Sequence, residues 1–298
     1  MAYGFDDDAE TRRLLRSPPS EAALGWSALA AGGEVAGWEV LRGGASSAMY
    51  GLELADGRRL VLRCRVWEED EPDPASGEAA ALAAAGTSRV ATPRLVAVDA
   101  DGSRAGVPAV LMTRLAGRVV WDPRDTTRWL SRLAEVLPLI HQADTSVKGL
   151  GEFFVYGQRE YLPPKWATVP KVWERAIEIF HGPILESDRC FVHRDFHPGN
   201  VLWHRRRITG VVDWESGCVG PPSIDISHCR ANFLGYAPEL AAEFTALAET
   251  ALDREFHPWA DIASLIGTLD GLRRNPPRDA GRIAIENAIA TAVAELSN

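Results

Sequence analysis

The sequence predicts an α+β protein of two unequal lobes: a small lobe built on an antiparallel sheet with one helix, then a larger, mainly helical lobe. Short runs of β-type residues separated by glycine-containing turns fill the first third of the chain. After Leu115 the apolar residues recur at offsets of three and four, the spacing of amphipathic helices. We place the boundary after residue 117, so that 1–117, with a leading segment 1–32, precedes 118–298.

In the small lobe, five short strands and one helix are predicted. Ser76 can cap an alanine-rich helix over 77–85, which ends at Gly86. The strands are predicted at 38–42, 49–54, 59–66, 94–99 and 107–115.

The larger lobe begins with one apolar stripe from Trp129 to Ile140, and Pro138 is expected to kink that helix near its end. Another helix is predicted over 171–180, and short strands flank the segment 192–214. Three further helices are predicted from the apolar spacing at 240–247, 259–269 and 285–293.

The composition excludes several classes of protein. Of 298 residues, 46% are hydrophobic, and 41 acidic residues against 32 lysines and arginines give a net charge of −9. This acidic balance argues against nucleic acid or an anionic membrane surface as the main partner and leaves a cationic small molecule open. The four cysteines are far apart, and no apolar run approaches the roughly 18 residues of a membrane span. We therefore predict a cytoplasmic protein in a reducing compartment.

Candidate catalytic residues lie in the stretch 191–215. Asp195 is followed five residues later by Asn200, and Asp213 comes directly after an apolar run. In phosphoryl transfer, an aspartate of a loop accepts the proton of the attacking hydroxyl, while an asparagine and a second aspartate hold Mg²⁺ against the nucleotide phosphates. The spacing therefore indicates Asp195 as a catalytic base, and Asn200 and Asp213 as oxygen ligands for Mg²⁺.

Residues upstream of this stretch follow the order of a nucleotide site. A glycine-serine turn at 43–47 lies between the first two strands, where its backbone N–H groups could cover phosphates. Arg63 on the third strand would contact the phosphates, and Glu78 in the next helix would hold that cation in place. Arg65 lies two residues further on, faces the same side of the strand, and competes with Arg63 for this role.

Together these residues resemble the aminoglycoside phosphotransferase and choline kinase-like family, whose fold is similar to that of protein kinases. The resemblance extends over about 33–298 and implies a bilobal, protein-kinase-like fold with the nucleotide between the lobes. The sequence lacks the full G-x-G-x-x-G loop and the D-F-G of protein kinases themselves. The resemblance rests on 43–47, 61–63, 111–117, 193–200 and 213–215, together with Glu78 and Asp225.

The resemblance also implies the cofactors, which are Mg²⁺ and either ATP or GTP as phosphoryl donor. Arg63 and Glu78 would form the ion pair at the phosphates. The family often has lysine where Arg63 stands, and arginine keeps the charge and can contact phosphate oxygens bidentately. The other nucleotide-binding residues would be Gly43, Gly44, Ser46 and Ser47 of the turn, and Met112, Thr113 and Leu115, which would line the purine through backbone groups.

The resemblance likewise implies a catalytic set around the loop. His193 would be a buried brace for the loop, with Asp225 as its partner. His197 could contact the transferring phosphoryl group or pack within the loop, and Glu215 could assist Mg²⁺ or support the loop. The implied catalytic residues are Asp195, His193, Asn200 and Asp213, with Asn200 and Asp213 as the metal ligands.

We therefore predict a monomeric or homodimeric small-molecule kinase that transfers the γ-phosphoryl group of ATP or GTP to a hydroxyl of an amino sugar, an antibiotic or a similar metabolite. From 232 to 298 ten acidic residues face five arginines, which would suit a cationic substrate but also fits solvated helix faces. Two alternatives stay open. One is a kinase-like protein that binds without catalysis; the other is a metallohydrolase built on His193, Asp195 and His197.

Overall fold

A five-stranded antiparallel sheet forms the small lobe in a computed structural model that describes residues 13, 15–41, 47–65, 74–155, 161–184 and 188–297. The strand order is β1-β2-β3-β5-β4, so every predicted strand is present, and Arg42 and Val66 lie outside the described residues. The last strand is shorter than the predicted 107–115. The strands are β1 (Val35–Leu41), β2 (Ser47–Leu54), β3 (Arg59–Arg65), β4 (Leu95–Asp99) and β5 (Ala109–Thr113).

The alternation of side chains along β3 gives the sheet two different faces. Leu60 and Leu62 point to one face, where they pack with Trp26 of helix α1 (Glu21–Ala31). Arg63 lies on the other face and is 4% exposed. Helix α1 was not predicted, because its apolar residues do not form a single stripe, although Ser20 caps it by accepting from the Ala23 N–H.

Helix α2 (Pro74–Ala85) packs on the face of the sheet that carries Arg63. The helix begins two residues before Ser76, so the predicted cap at Ser76 is wrong. Proline is favourable in the first turn of a helix, where its missing N–H has no intrahelical partner to lose. The earlier start leaves Glu78 inside the helix, only 1% exposed.

The larger lobe is mainly helical, as predicted, and two short pairs of antiparallel strands, β6 with β9 and β7 with β8, complete it. The helix with the stripe from Trp129 continues through Pro138 to His141, and the predicted helix at 259–269 is two helices. A helix over Ser223–Tyr236 was not predicted. Among the described residues, no helix is long and apolar enough to cross a membrane. The elements are α3 (Thr126–His141), α4 (Pro170–Phe180), β6 (Cys190–Val192), β7 (Val201–His204), β8 (Arg207–Val211), β9 (Cys218–Gly220), α5 (Ser223–Tyr236), α6 (Glu239–Leu252), α7 (Trp259–Gly267), α8 (Leu269–Arg274) and α9 (Asp279–Leu296).

The segment that leaves β5 runs across the β7–β8 hairpin. Arg118 exchanges backbone hydrogen bonds with Trp203, with N···O distances of 3.0 and 2.8 Å. Two glycines allow this close approach: Gly117 has φ +137°, and a Cβ on Gly210 would lie 2.3 Å from Cδ1 of Leu115. The crossing lies where the sequence placed the lobe boundary, and the boundary after residue 117 stays a prediction.

A buried carboxylate joins α9 to the segment before α4. Glu286 accepts hydrogen bonds from the Thr168 N–H at 2.8 Å, the Thr168 hydroxyl, and the indole N–H of Trp173 at 2.9 Å. Glu286→Ala leaves the buried indole N–H of Trp173 without an acceptor and removes the contacts of Thr168, so we expect the free energy of unfolding to fall by about 2 kcal/mol. Urea denaturation measures this, with Glu295→Ala, an exposed change on the same helix, as the control.

The same contacts give this stability a pH dependence. Burial opposes ionisation of Glu286, but hydrogen bonds from Thr168 and Trp173 outweigh it and hold its pKa below its ordinary value of 4.5. A carboxyl group with a lower pKa in the folded state stabilises the fold above its unfolded pKa, and this contribution is lost as the pH falls through the folded pKa. The difference between wild type and Glu286→Ala should therefore shrink below pH 4.5. A difference that grows toward acid would contradict the assignment.

Candidate active site

One buried carboxylate, that of Asp225, binds the backbone of the loop that carries Asp195. Asp225, in the first turn of α5, is fully buried and accepts the backbone N–H of His193 at 3.0 Å and of Arg194 at 2.7 Å. Nε2 of His141 lies 2.9 Å from the same carboxylate. Arg194 has φ +68°, a backbone conformation that is costly without glycine, so Asp225 stabilises a strained turn.

His193 is buried and both of its ring nitrogens are engaged. Nε2 donates to the Val212 carbonyl at 2.9 Å, and Nδ1 accepts the Asp195 N–H at 3.3 Å, which fixes the neutral tautomer with the proton on Nε2. The imidazole therefore braces the loop, while its contact with Asp225 is made through the backbone. Among the described residues no group of three or more His, Cys, Asp or Glu is arranged to hold a metal, so the metallohydrolase alternative has no ligand set there.

Asn200 connects the candidate base with the candidate metal ligand. Its amide nitrogen donates to the backbone carbonyl of Asp195 at 2.9 Å and to Oδ2 of Asp195 at 3.0 Å. The backbone carbonyl of Asn200 accepts the Val212 N–H at 2.9 Å, so Asp213 follows directly after this contact. Because the amide nitrogen is committed, the amide oxygen is the atom that Asn200 can offer to a cation.

His228 also contacts Asp195, and sequence reasoning missed it. Its Nε2 lies 2.8 Å from Oδ1 of Asp195, and Nε2 of His197 lies further away at 3.9 Å. Burial opposes ionisation of Asp195, but the hydrogen bond from His228 and the neighbouring imidazoles outweigh it and hold the pKa of Asp195 well below its usual range. Asp195 is therefore a carboxylate at neutral pH. The sequence signal that could have found His228 is its offset of three residues from Asp225, because this offset places the two side chains on one face of a helix.

His197 packs within the loop. Its Nδ1 accepts the Gly199 N–H at 3.0 Å, and its ring stacks on Trp121 with centroids 5.8 Å apart. Burial lowers the pKa of His197 to about 4, although the charge of Asp195 opposes the change. A neutral, stacked ring fits the packing role better than contact with a phosphoryl group.

Two buried arginines of β3 reach the residues that follow β8. Arg63 donates to Oδ1 of Asp213 at 2.6 Å and to a carboxylate oxygen of Glu215. Nη2 of Arg65 lies 2.5 Å from the other oxygen of Glu215. Glu215 therefore contacts both arginines, which lie on one face of β3, and which of the two contacts phosphate stays a prediction.

The predicted ion pair of Arg63 and Glu78 is present, but at a distance that is longer than those of the other ion pairs of Arg63. Nε of Arg63 lies 3.4 Å from Oε1 of Glu78, and the structure shows no hydrogen bond to either carboxylate oxygen from the described part of the chain. Burial raises the pKa of Glu78 to about 7, although the positive charge of Arg63 opposes the rise. Arg63 is thus held mainly by Asp213 and Glu215 in this state.

Of the remaining nucleotide candidates, Ser47 lies on β2, Met112 and Thr113 lie on β5, and Leu115 follows β5. Ser47 pairs in register with Arg65, is 3% exposed, and its hydroxyl has no hydrogen-bond partner in the described ranges. Met112 is buried in β5, and the Thr113 N–H donates a hydrogen bond to the Arg94 carbonyl. That Leu115 lines the purine stays a prediction. Gly43, Gly44 and Ser46 lie outside the described residues.

A model of the phosphotransferase enzyme family matches residues 37–260. The chain belongs to this family. The predicted resemblance to this family is therefore confirmed. The curated relatives match only part of this chain. Rat acyl-CoA dehydrogenase family member 11 is 23% identical over 156 residues, which is 46% of this chain. The chain spans about a fifth of the length of these relatives, 20% for the rat protein.

Solved structures of phosphotransferases share the fold over almost the whole chain. Macrolide 2'-phosphotransferase MphH from Brachybacterium faecium is 20% identical, with a TM-score of 0.57 over 92% of this chain and 98% of that one. A thermostable mutant of aminoglycoside phosphotransferase APH(4)-Ia, in a ternary complex with AMP-PNP and hygromycin B, is 17% identical, with a TM-score of 0.66 over 92% and 98%. These likenesses confirm the predicted bilobal, protein-kinase-like fold.

Proposed function

We propose that the protein transfers the γ-phosphoryl group of a nucleoside triphosphate to a hydroxyl of a small molecule, with Asp195 as the base. The observation that carries this proposal is a series of hydrogen bonds that links Asp195, Asn200 and the residue before Asp213. Asn200 binds the Asp195 carboxylate directly, and the Val212 N–H ties Asn200 to the residue before Asp213. Positioning and electrostatics account for most of the catalysis in such transfers, so this shared geometry is the feature that the chemistry requires.

The donor set beside Asp195 fits Mg²⁺. Magnesium prefers hard oxygen ligands and is usually bound by one or two carboxylates plus phosphate oxygens and water. Asn200 offers its amide oxygen, and Asp213 offers Oδ2, because Oδ1 is bound by Arg63. Bound there, the ion would neutralise charge on the β- and γ-phosphates. Asp213 has φ +67°, a backbone conformation that is costly without glycine, and its carboxylate contacts Arg63.

Asp195 is suited to accept the proton of the acceptor hydroxyl. Its pKa lies well below its usual range, so it is ionised at neutral pH and accepts a hydrogen bond from an incoming hydroxyl. Its side chain keeps 36% exposure, which leaves room for an acceptor. On the other side, Arg63 and Arg65 would contact phosphate oxygens in exchange for part of their contacts with Asp213 and Glu215.

We propose an amino sugar, a macrolide or an amino alcohol as the acceptor. One structural neighbour is named as a macrolide phosphotransferase, and another was solved with hygromycin B. The excess of acidic residues over arginines in 232–298 favours a cationic acceptor. ATP and GTP are both candidate donors.

A mass-shift screen tests the proposed function. The purified protein is incubated with Mg²⁺ and either ATP or GTP against panels of aminoglycosides, macrolides and amino alcohols, and each acceptor is examined for the addition of one phosphoryl group. We expect at least one class to be phosphorylated. Calorimetry with Mg-ATP and Mg-GTP runs in parallel: tight nucleotide binding with transfer to no acceptor would favour the alternative of a kinase-like binder.

A further inference from the structure

Helix α5 contacts the catalytic loop through two residues on one face. Asp225 binds the backbone N–H groups of His193 and Arg194, and His228, three residues later, lies against the Asp195 side chain. The opposite face of α5 is anchored independently by buried Phe233 and its apolar neighbours in the core. The contact of His228 is therefore not needed to hold the helix in place.

The direction of the hydrogen bond between His228 and Asp195 follows from charge. An ionised carboxylate only accepts, so Nε2 of His228 must carry the proton that it donates over 2.8 Å. The other oxygen, Oδ2, accepts from the amide of Asn200 at 3.0 Å. With one donor on each oxygen, the carboxylate can neither rotate nor tilt without losing a charge-assisted hydrogen bond. Each oxygen keeps a second lone pair for the acceptor hydroxyl.

We propose that His228 is a positioning residue for phosphoryl transfer, because its Nε2–H holds the Asp195 carboxylate in the orientation that receives the acceptor hydroxyl. The inference rests on the proposed function of Asp195. His197 cannot replace this contact, since its Nε2 is 3.9 Å from Asp195, beyond hydrogen-bond distance, and its Nδ1 is held by Gly199. His228 is 20% exposed, so it also borders the space that an acceptor would enter.

Two substitutions separate the donor from the shape of the side chain. His228→Leu removes the donor, and His228→Gln restores an N–H near the position of Nε2. We expect His228→Leu to lower kcat about 10- to 100-fold, since a misplaced catalytic group costs this much, with the KM for nucleotide within about twofold of wild type. His228→Gln should recover most of kcat. His204→Leu, at the exposed end of β7, is the matched control and should leave both constants unchanged.

Two kinetic results would overturn the proposal: a kcat of His228→Leu within twofold of wild type, or equal impairment of the Leu and Gln variants at unchanged melting temperature. The second result would show that the ring shape matters and the donor does not.

A spectroscopic readout keeps the inference separate from the proposed function. Long-range ¹H–¹⁵N correlation spectra assign the protonated ring nitrogen of His228, and we expect it to be Nε2 in wild type. In Asp195→Ala this preference should be lost. A proton residing on Nδ1 alone in wild type would overturn the inference even if transfer is observed. Conversely, absence of transfer to every acceptor, with Nε2 protonated, would reject the proposed function and leave the contact intact.

Discussion

Asp195→Ala is expected to lower kcat by about 10³-fold, because removal of a positioned general base costs about 10² to 10⁴ in rate. The affinity for Mg-nucleotide should stay within severalfold of wild type, since the described contacts of Asp195 are made within the loop and to His228 rather than to Arg63 or Asp213. Steady-state kinetics with the acceptor found by the screen, together with calorimetry for the nucleotide, measure the two effects separately.

The matched control for this change is Asp279→Ala, which removes an aspartate whose side chain is 92% exposed at the start of α9. The control should retain wild-type kcat. Full activity of Asp195→Ala would reject this residue as the base. Loss of nucleotide affinity together with kcat would instead mean that Asp195 belongs to the nucleotide side of the site.

Asp213→Ala is expected to weaken binding of Mg-nucleotide at least about tenfold, because it removes the carboxylate ligand of the ion. It also releases the guanidinium of Arg63 from its 2.6 Å contact, so that Arg63 keeps Glu215 and Glu78 as partners. Without Mg²⁺ the variant should therefore bind nucleotide as tightly as wild type, or more tightly. Calorimetry with Mg²⁺ and with EDTA measures both values.

This pair of titrations discriminates between two roles for Asp213. A ligand of the ion affects binding only when Mg²⁺ is present. A residue that merely neutralises Arg63 would change binding equally in both titrations, and that outcome would contradict the assignment.

The catalytic loop was predictable because its parts are close in sequence. Asp195 and Asn200 are five residues apart, and a short hairpin returns the chain to Val212, whose N–H donates to the Asn200 backbone carbonyl directly before Asp213. The strands were predictable for a similar reason, since apolar alternation and glycine turns such as the one at Gly57 are local signals.

Helix α5 shows where the sequence was insufficient. Ser223, Asp225 and His228 interrupt its apolar pattern, because this helix is buried on several sides and satisfies its polar groups within the protein. Apolar periodicity detects a helix that has one buried face and one solvent-exposed face, and α5 lacks this division. The contact of His228 with Asp195 was lost together with the helix.

The bridging role of Glu215 depends on tertiary structure in the same way. Its two arginine partners lie about 150 residues earlier on β3, with a separation of 152 positions for Arg63. No spacing rule within the segment 213–215 could distinguish a ligand of Mg²⁺ from a partner of Arg63 and Arg65. The structure shows the contacts of Glu215 with both arginines, which pair β3 with the segment after β8, and a role of Glu215 at Mg²⁺ stays a prediction.

The most direct test of the account is a crystal structure of the protein with Mg²⁺ and a non-hydrolysable ATP or GTP analogue. We expect one ion bound by the amide oxygen of Asn200 and a carboxylate oxygen of Asp213 at about 2.0–2.1 Å, with Asp195 facing the γ-phosphate from the acceptor side. An ion coordinated without Asn200 and Asp213, or a nucleotide bound away from Asp195, would contradict the account.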